Sequence, residues 1–325
     1  MIAAIIAGLA LFSPIREVRL HSLATAVTLA QDGGFGVGAE SGDVCVYSPE
    51  LKVVASFHER GPVRALAFSP DRKWIATGFR DDGRNVTTAI WTRRGKLVRY
   101  FDSLAVPPVK PDSFNAGFAY KSTSRLAWSP DSKLLAAEHD GHLDAGVRIW
   151  DLTGKLVAEL GRVVMANERI PMAAGVKGLN FSPDGSRIVT SMDDGYVRSW
   201  SLDGMCKWQT PVSDQSGVSD AGFTPKGTEV VFSTASDKGR VGALDAKSGK
   251  KLWAVDLESS VRAVCGLTED EILATVDSTL RVGTSRGFSV FRTLDGSISH
   301  IAVLADRSAM VVSTSRPKVY LIRLR

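Results

Sequence analysis

Apolar and polar positions alternate in short runs along the chain, and turn-forming residues separate the runs. The clearest stretch covers residues 176–208. Val176-Lys177-Gly178-Leu179-Asn180-Phe181 alternates with period two, the pattern of a half-buried strand. Ser182-Pro183-Asp184-Gly185 follows. There proline presets φ, aspartate bonds its own backbone and glycine accepts positive φ, so the chain turns. Arg187-Ile188-Val189-Thr190 starts a second, β-branched strand, Asp193-Asp194-Gly195 turns it, and Tyr196-Val197-Arg198-Ser199-Trp200 forms a third. After Asp203-Gly204, Met205-Cys206-Lys207-Trp208 opens a fourth. Four short antiparallel strands in about 35–45 residues predict one blade of a β-propeller.

The unit recurs. Ser69-Pro70-Asp71 follows Phe68, Ser129-Pro130-Asp131 follows Trp128, and Phe223-Thr224-Pro225-Lys226 is a worn copy. Fainter copies lie at Leu29-Ala30-Gln31-Asp32, Leu267-Thr268-Glu269-Asp270 and Leu304-Ala305-Asp306. The turns fall at positions 32, 71, 131, 184, 226, 270 and 306, with gaps of 39, 60, 53, 42, 44 and 36 residues. Four gaps have the length of a blade, and two are stretched by insertions. Third strands end in Ile90-Trp91, Ile149-Trp150 and Ser199-Trp200, and Trp150-Asp151 is the one literal Trp-Asp pair. On these turns and tryptophans the chain resembles the WD40-repeat family over residues 15–325, with divergent repeats. The resemblance implies an all-β fold, a seven-bladed β-propeller of four-stranded antiparallel blades. The shared turns are almost silent on function by themselves. A non-catalytic scaffold for protein–protein interaction is expected from the insertions and the lack of a catalytic constellation.

In that family an aspartate six residues before the tryptophan caps the turn, often within a His–Ser/Thr–Asp–Trp network. The resemblance thus gives structural roles to Asp144 with Trp150 and to Asp194 with Trp200, and sets Trp91 at the same place in its blade. The Gly-His pair that opens a typical repeat is absent; only His58, with His21 as a weaker match, stands near that place. Most blades are therefore expected to lack the full network and to rest on strand pairing and aliphatic packing.

Residues 1–325 read as a single propeller, with an apolar segment at 1–14 and a closing strand at 15–21. The blades are expected at about 23–57, 62–101, 124–160, 176–209, 217–256, 261–294 and 298–325. Arg16-Glu17-Val18-Arg19-Leu20 looks like a strand with no blade before it, and Lys318-Val319-Tyr320-Leu321-Ile322-Arg323-Leu324 like a third strand with no fourth after it. A ring must remove its open edges, so 15–21 is expected to complete the last blade. WD40 rings commonly close in this way. Residues 2–12 are apolar but too short for a membrane-spanning helix, which takes about 20 residues, and no basic segment precedes them as in a secretory signal. They are read as packing on the ring, as a short helix or an extra strand, with membrane association as the alternative.

Candidate chemistry is sparse. Gly33-Gly34-Phe35-Gly36-Val37-Gly38 partly matches a phosphate-binding loop, but the repeat register puts Gly36 to Ala39 inside a strand where that motif needs a following helix. Glycines in a strand mark a bulge or close packing instead. His139-Asp140-Gly141-His142-Leu143-Asp144 offers imidazole and carboxylate ligands without a zinc-type spacing. A metal-dependent enzyme using the 138–144 loop is thus a rival reading, and no metal, cofactor or catalytic residue is assigned. None of the five histidines, and no serine, shows a nucleophile motif. The net charge of +5 suits an acidic partner. Arg93-Arg94-Lys96 and Lys250-Lys251 are scattered around the ring as solvated groups, which leaves binding of nucleic acid or another anionic ligand as a second reading. Cys45, Cys206 and Cys265 lie far apart without a disulfide or zinc pattern. They fit a reducing compartment, and a cytoplasmic monomer, or subunit of a larger complex, is expected.

The insertions break the symmetry of the ring. The enlarged connections, at about 80–88, 102–123, 138–146 and 161–175, all belong to blades two and three and to one face of the disc. Such insertions in repeat proteins often mark the binding face. The expected contacts for a protein or peptide partner are Arg80, Arg84, Phe114, Phe118, Tyr120, Lys121, His139, His142, Arg162 and Arg169. Aromatic, arginine and methionine side chains of this kind are enriched at protein interfaces.

Overall fold

A computed structural model describes residues 16–80, 86–102, 122–139, 146–161, 175–213, 217–304 and 306–324. Among these residues, 28 strands form seven four-stranded antiparallel sheets, and there is no helix. Six sheets use four consecutive strands. The seventh is completed from the other end of the chain. Arg16–Arg19 pairs with Lys318–Arg323, setting Glu17 opposite Tyr320 and Val18 opposite Val319. Lys318 Nζ reinforces the clasp from Asp295 at 2.8 Å to Glu17 at 3.4 Å.

The first strands of the seven blades are Ala24–Leu29, Val63–Phe68, Leu126–Trp128, Val176–Phe181, Val218–Phe223, Val261–Gly266 and Ile298–Val303. They touch one another in order, and the last touches the first, so the ring is closed around a central channel. The core is divided to match. Seven clusters of buried apolar residues each lie at a seam between neighbouring blades. The third-strand tryptophans plug these seams: Trp91 between blades one and two, Trp150 between two and three, Trp200 between three and four. Phe57 of blade one stacks on Trp91 at 4.3 Å between centroids, and Phe101 of blade two lies 5.2 Å from Trp150. Aromatic pairs at such distances add to the area they bury.

The Ser-Pro-Asp turns repeat the same bonds. Ser69 Oγ donates to Asp71 Oδ1 at 2.6 Å, Ser129 to Asp131 at 2.7 Å and Ser182 to Asp184 at 2.6 Å. Each serine also accepts the N–H of the residue five positions on, Trp74, Leu134 or Arg187. The fourth residue takes a left-handed backbone, with φ of 65° at Arg72, 61° at Ser132 and 72° at Gly185. Only glycine does so without strain. Elsewhere, Gly36 and Gly38 lie in a fully buried strand, Phe35–Ala39. A Cβ on Gly38 would come within 2.5 Å of Val63, so this glycine lets blade two approach blade one and does not cradle a phosphate.

Trp200 Nε1 donates to Thr190 at 2.9 Å in blade four, whereas Ala137 stands at that register position in blade three and offers Trp150 no hydroxyl. Blade two rebuilds the network around a carboxylate. Trp91 Nε1 donates to Thr77 Oγ1 and to Glu59 Oε2, both at 3.1 Å, and Thr77 donates to Glu59 at 2.6 Å. His58, expected near this place, is exposed and instead contacts Asp43 at 2.9 Å. Asp194 accepts the Tyr196 N–H at 3.2 Å, as a capping residue should, but its other bonds go to the buried Arg198.

Candidate interaction site

Because the strands of each blade run alternately up and down, connections from second to third strand share a face with those from fourth strand to next blade. The four enlarged connections are bracketed by Phe79 and Val86, Asp102 and Leu126, His139 and Gly146, and Leu160 and Val176. All leave and re-enter the ring on that face, beside blades two and three. The third strand of blade two begins at Val86, so its connection is shorter than 80–88.

Two expected contacts are described. Arg80 forms an antiparallel bridge with Ser122 and its N–H donates to Pro62 O at 3.0 Å. His139 is buried at the end of its strand, its ring against Gly146. Arg84, Phe114, Phe118, Tyr120, Lys121, His142, Arg162 and Arg169, together with the structural Asp144, lie outside the described residues. So do Asp140 and the rest of the 140–145 loop; no metal-ligand cluster occurs among the described residues. The long connection into blade three is anchored where it rejoins the ring. Thr123 Oγ1 donates to Glu138 O at 2.8 Å and pairs with the hydroxyls of Thr87 and Thr88 at 2.9 and 3.1 Å.

On this face the channel opens into a cavity of about 280 Å³ lined in part by Thr25, Arg64, Ser124, Arg125, Ser299 and His300. Sequence reasoning missed it, because the lining residues come from four different blades. Arg125 is held by two carbonyls, with Nη1 on Ser124 O at 2.8 Å and Nε on Lys177 O. Arg64 pairs with Glu40 at 2.8 Å. The His300 imidazole, 3.3 Å from Ser313 Oγ, is pushed down to about 4 by burial and then by Arg125, Arg262 and Arg64. Deeper in, Asp220 accepts the Val264 N–H at 3.1 Å. Burial pushes its carboxyl up to about 6 despite that bond and Arg125. The opposite mouth is wider, about 580 Å³, and is lined by first-strand residues of all seven blades. Arg93, far from being merely solvated, pins blade two to Asp32 of blade one at 2.6 Å.

The WD40 family profile (WD domain, G-beta repeat) matches residues 51–84 and 172–201. Those segments fall on parts of the seven four-stranded blades just described. The chain carries WD40 repeats. This WD40 chain is 27% identical over 138 residues to the Ribosome biogenesis protein WDR12 homolog of Dictyostelium discoideum, across 41% of the chain and 27% of that protein. It is 24% identical over 194 residues to Actin-interacting protein 1-2 of Arabidopsis thaliana, across 58% of the chain and 27% of that protein. It is 28% identical to Nuclear distribution protein PAC1-1 of Uncinocarpus reesii, across 46% of the chain and 32% of that protein. The WD40 chain thus matches about a third or less of the length of each of these relatives. Among solved structures, a chain of a mitotic checkpoint complex crystal structure superposes with a TM-score of 0.75 over 95% of this chain and 91% of its own, at 14% identity, which speaks to fold alone. No helix among the described residues is long and apolar enough to cross a membrane.

Proposed function

We propose that this WD40 propeller is a non-catalytic interaction scaffold that holds a protein or peptide on the face carrying the enlarged connections of blades two and three. One observation carries the reading: every enlarged connection enters and leaves the ring on that face, in one sector beside the channel mouth. Loops supported by a rigid ring are where repeat proteins place variable recognition. The names of the relatives, a ribosome biogenesis protein, an actin-interacting protein and a nuclear distribution protein, agree with a role in assemblies. The test is affinity capture from the native host with the wild-type chain and with Phe118→Ala and Arg169→Ala. Both substitutions should abolish capture while the thermal melt barely moves. Capture that survives both removes this sector as the docking site.

A further inference from the structure

We propose that the channel mouth at Arg64, Arg125 and His300 is an anion site that seats a carboxylate side chain from an acidic segment of the partner. The inference rests on the scaffold reading above and specifies the chemistry of what docks there.

The lining of the cavity is one-sided. Two guanidiniums, an imidazole and several hydroxyls face it, and no Asp or Glu is among the described residues that line it. Arg125 is the central group. Carbonyls from both flanks fix its half-buried guanidinium at the mouth, and carbonyls satisfy donors without cancelling charge. Among the described residues Arg125 forms no ion pair. A guanidinium drawn out of water without a counter-charge is costly, and an entering carboxylate offsets that cost. Arg64 has Glu40 as a partner, but Glu40 is exposed, 59% by side chain, and can exchange with an incoming acid. Arg262, exposed on the first strand of blade six, adds to the same positive field at His300. Lys177, whose carbonyl holds Arg125, keeps its own charge paired with Asp193 at 3.1 Å.

A cation is disfavoured at this mouth by the same geometry, since it would meet Arg64 and Arg125, whereas the carboxyl of Asp220 lines the opposite cavity. The dimensions also narrow the choice. A volume of about 280 Å³ admits a side chain or two and excludes a folded element. Guanidinium forks match carboxylates bidentately, which orients the segment as well as attracting it.

The experiment uses the full chain and a fluorescein-labelled oligoglutamate peptide, read by fluorescence anisotropy, with oligoglutamine and oligolysine peptides alongside. Oligoglutamate should bind and weaken as salt is raised, and the other two should not bind. Arg125→Gln and Arg64→Gln should each weaken it about tenfold, the scale of one charge-assisted hydrogen bond. Arg125→Lys keeps the charge but loses the fork, and should fall between wild type and Arg125→Gln, which separates electrostatics from bidentate recognition. Arg262→Gln disturbs no contact of the fold and should still reduce affinity. Lys207→Gln, exposed on an outer strand of blade four, should leave it unchanged. Equal binding by all variants, or equal binding of oligoglutamine, overturns the site. Inorganic phosphate or acetate binding as tightly as the peptide overturns the assignment to a partner side chain. If the peptide fails to bind while capture still depends on Phe118, the anion site falls and the docking sector stands.

Discussion

Glu59 lies buried in the connection between blades one and two, where the indole of Trp91, the hydroxyl of Thr77 and the N–H of Arg60 all donate to its carboxylate. Burial pushes its carboxyl above the usual range in spite of those bonds. Removing the acceptor with Glu59→Ala should cost about 1–3 kcal/mol, the scale of leaving buried donors unpaired. The sign of the pH effect is fixed as well. The folded state holds the Glu59 proton more tightly than the unfolded chain, so this contribution is present below the ordinary value of 4.5 and is lost as pH rises through the raised value. The lead in melting temperature of wild type over Glu59→Gln, which does not titrate, should therefore narrow as pH rises from 4.5 toward neutrality. A lead that widens would contradict this account. Nothing local in the sequence announces Glu59: a carboxylate fills the place where a histidine is expected, and its role appears only when a strand 32 positions away supplies Trp91.

At the scale of elements, legibility followed range. The Ser-Pro-Asp turns could be read directly because their bonds run between residues two and five apart. The closing strand could be read from an arithmetic mismatch at the two ends, and the register of Val18 against Val319 bears it out. The channel mouth was illegible, because Thr25, Arg64, Arg125 and His300 come from four blades and meet only when the ring is shut. The insertions were visible as stretched spacing, yet spacing says where a loop leaves the ring and not what it touches. The clasp itself is short, four residues, and Val18 packs in the cluster that joins the first and last blades. Val18→Asp would set a charge against Val319, at a cost of about 1–3 kcal/mol. It would also expose the edge of Lys318–Arg323, a template for pairing between molecules. A lower melting temperature and concentration-dependent association in light scattering are the expected outcomes.

For the whole molecule, seven seams carry the stability, and polar links reinforce several of them. Arg93 reaches Asp32 across the first, Trp128 Nε1 donates to Ala67 O at 3.1 Å across the second, and Asn180 donates to Ala221 O at 2.8 Å across the fourth. Asp220 serves the seam between blades five and six through the Val264 N–H, but it is also a charge held in the channel. Since its folded value is raised to about 6, its favourable contribution is lost as pH rises through that value. Asp220→Asn preserves an acceptor for Val264 and removes the charge. Its melting temperature should exceed that of wild type at pH 8 and the difference should shrink at pH 5; an advantage that grows in acid would rule the explanation out.

The pairing of Arg16–Arg19 with Lys318–Arg323 has a consequence for biogenesis. The strand that is translated before any of the blades pairs with one translated after the other six are made. Until Lys318–Arg323 has been made, the earliest strand waits without its mate, and the growing arc of wedges has two raw ends. Co-translational folding can therefore consolidate individual blades in order, but the ring locks only once Lys318–Arg323 is free to pair, and the interval before that is when a chaperone would matter most to this chain.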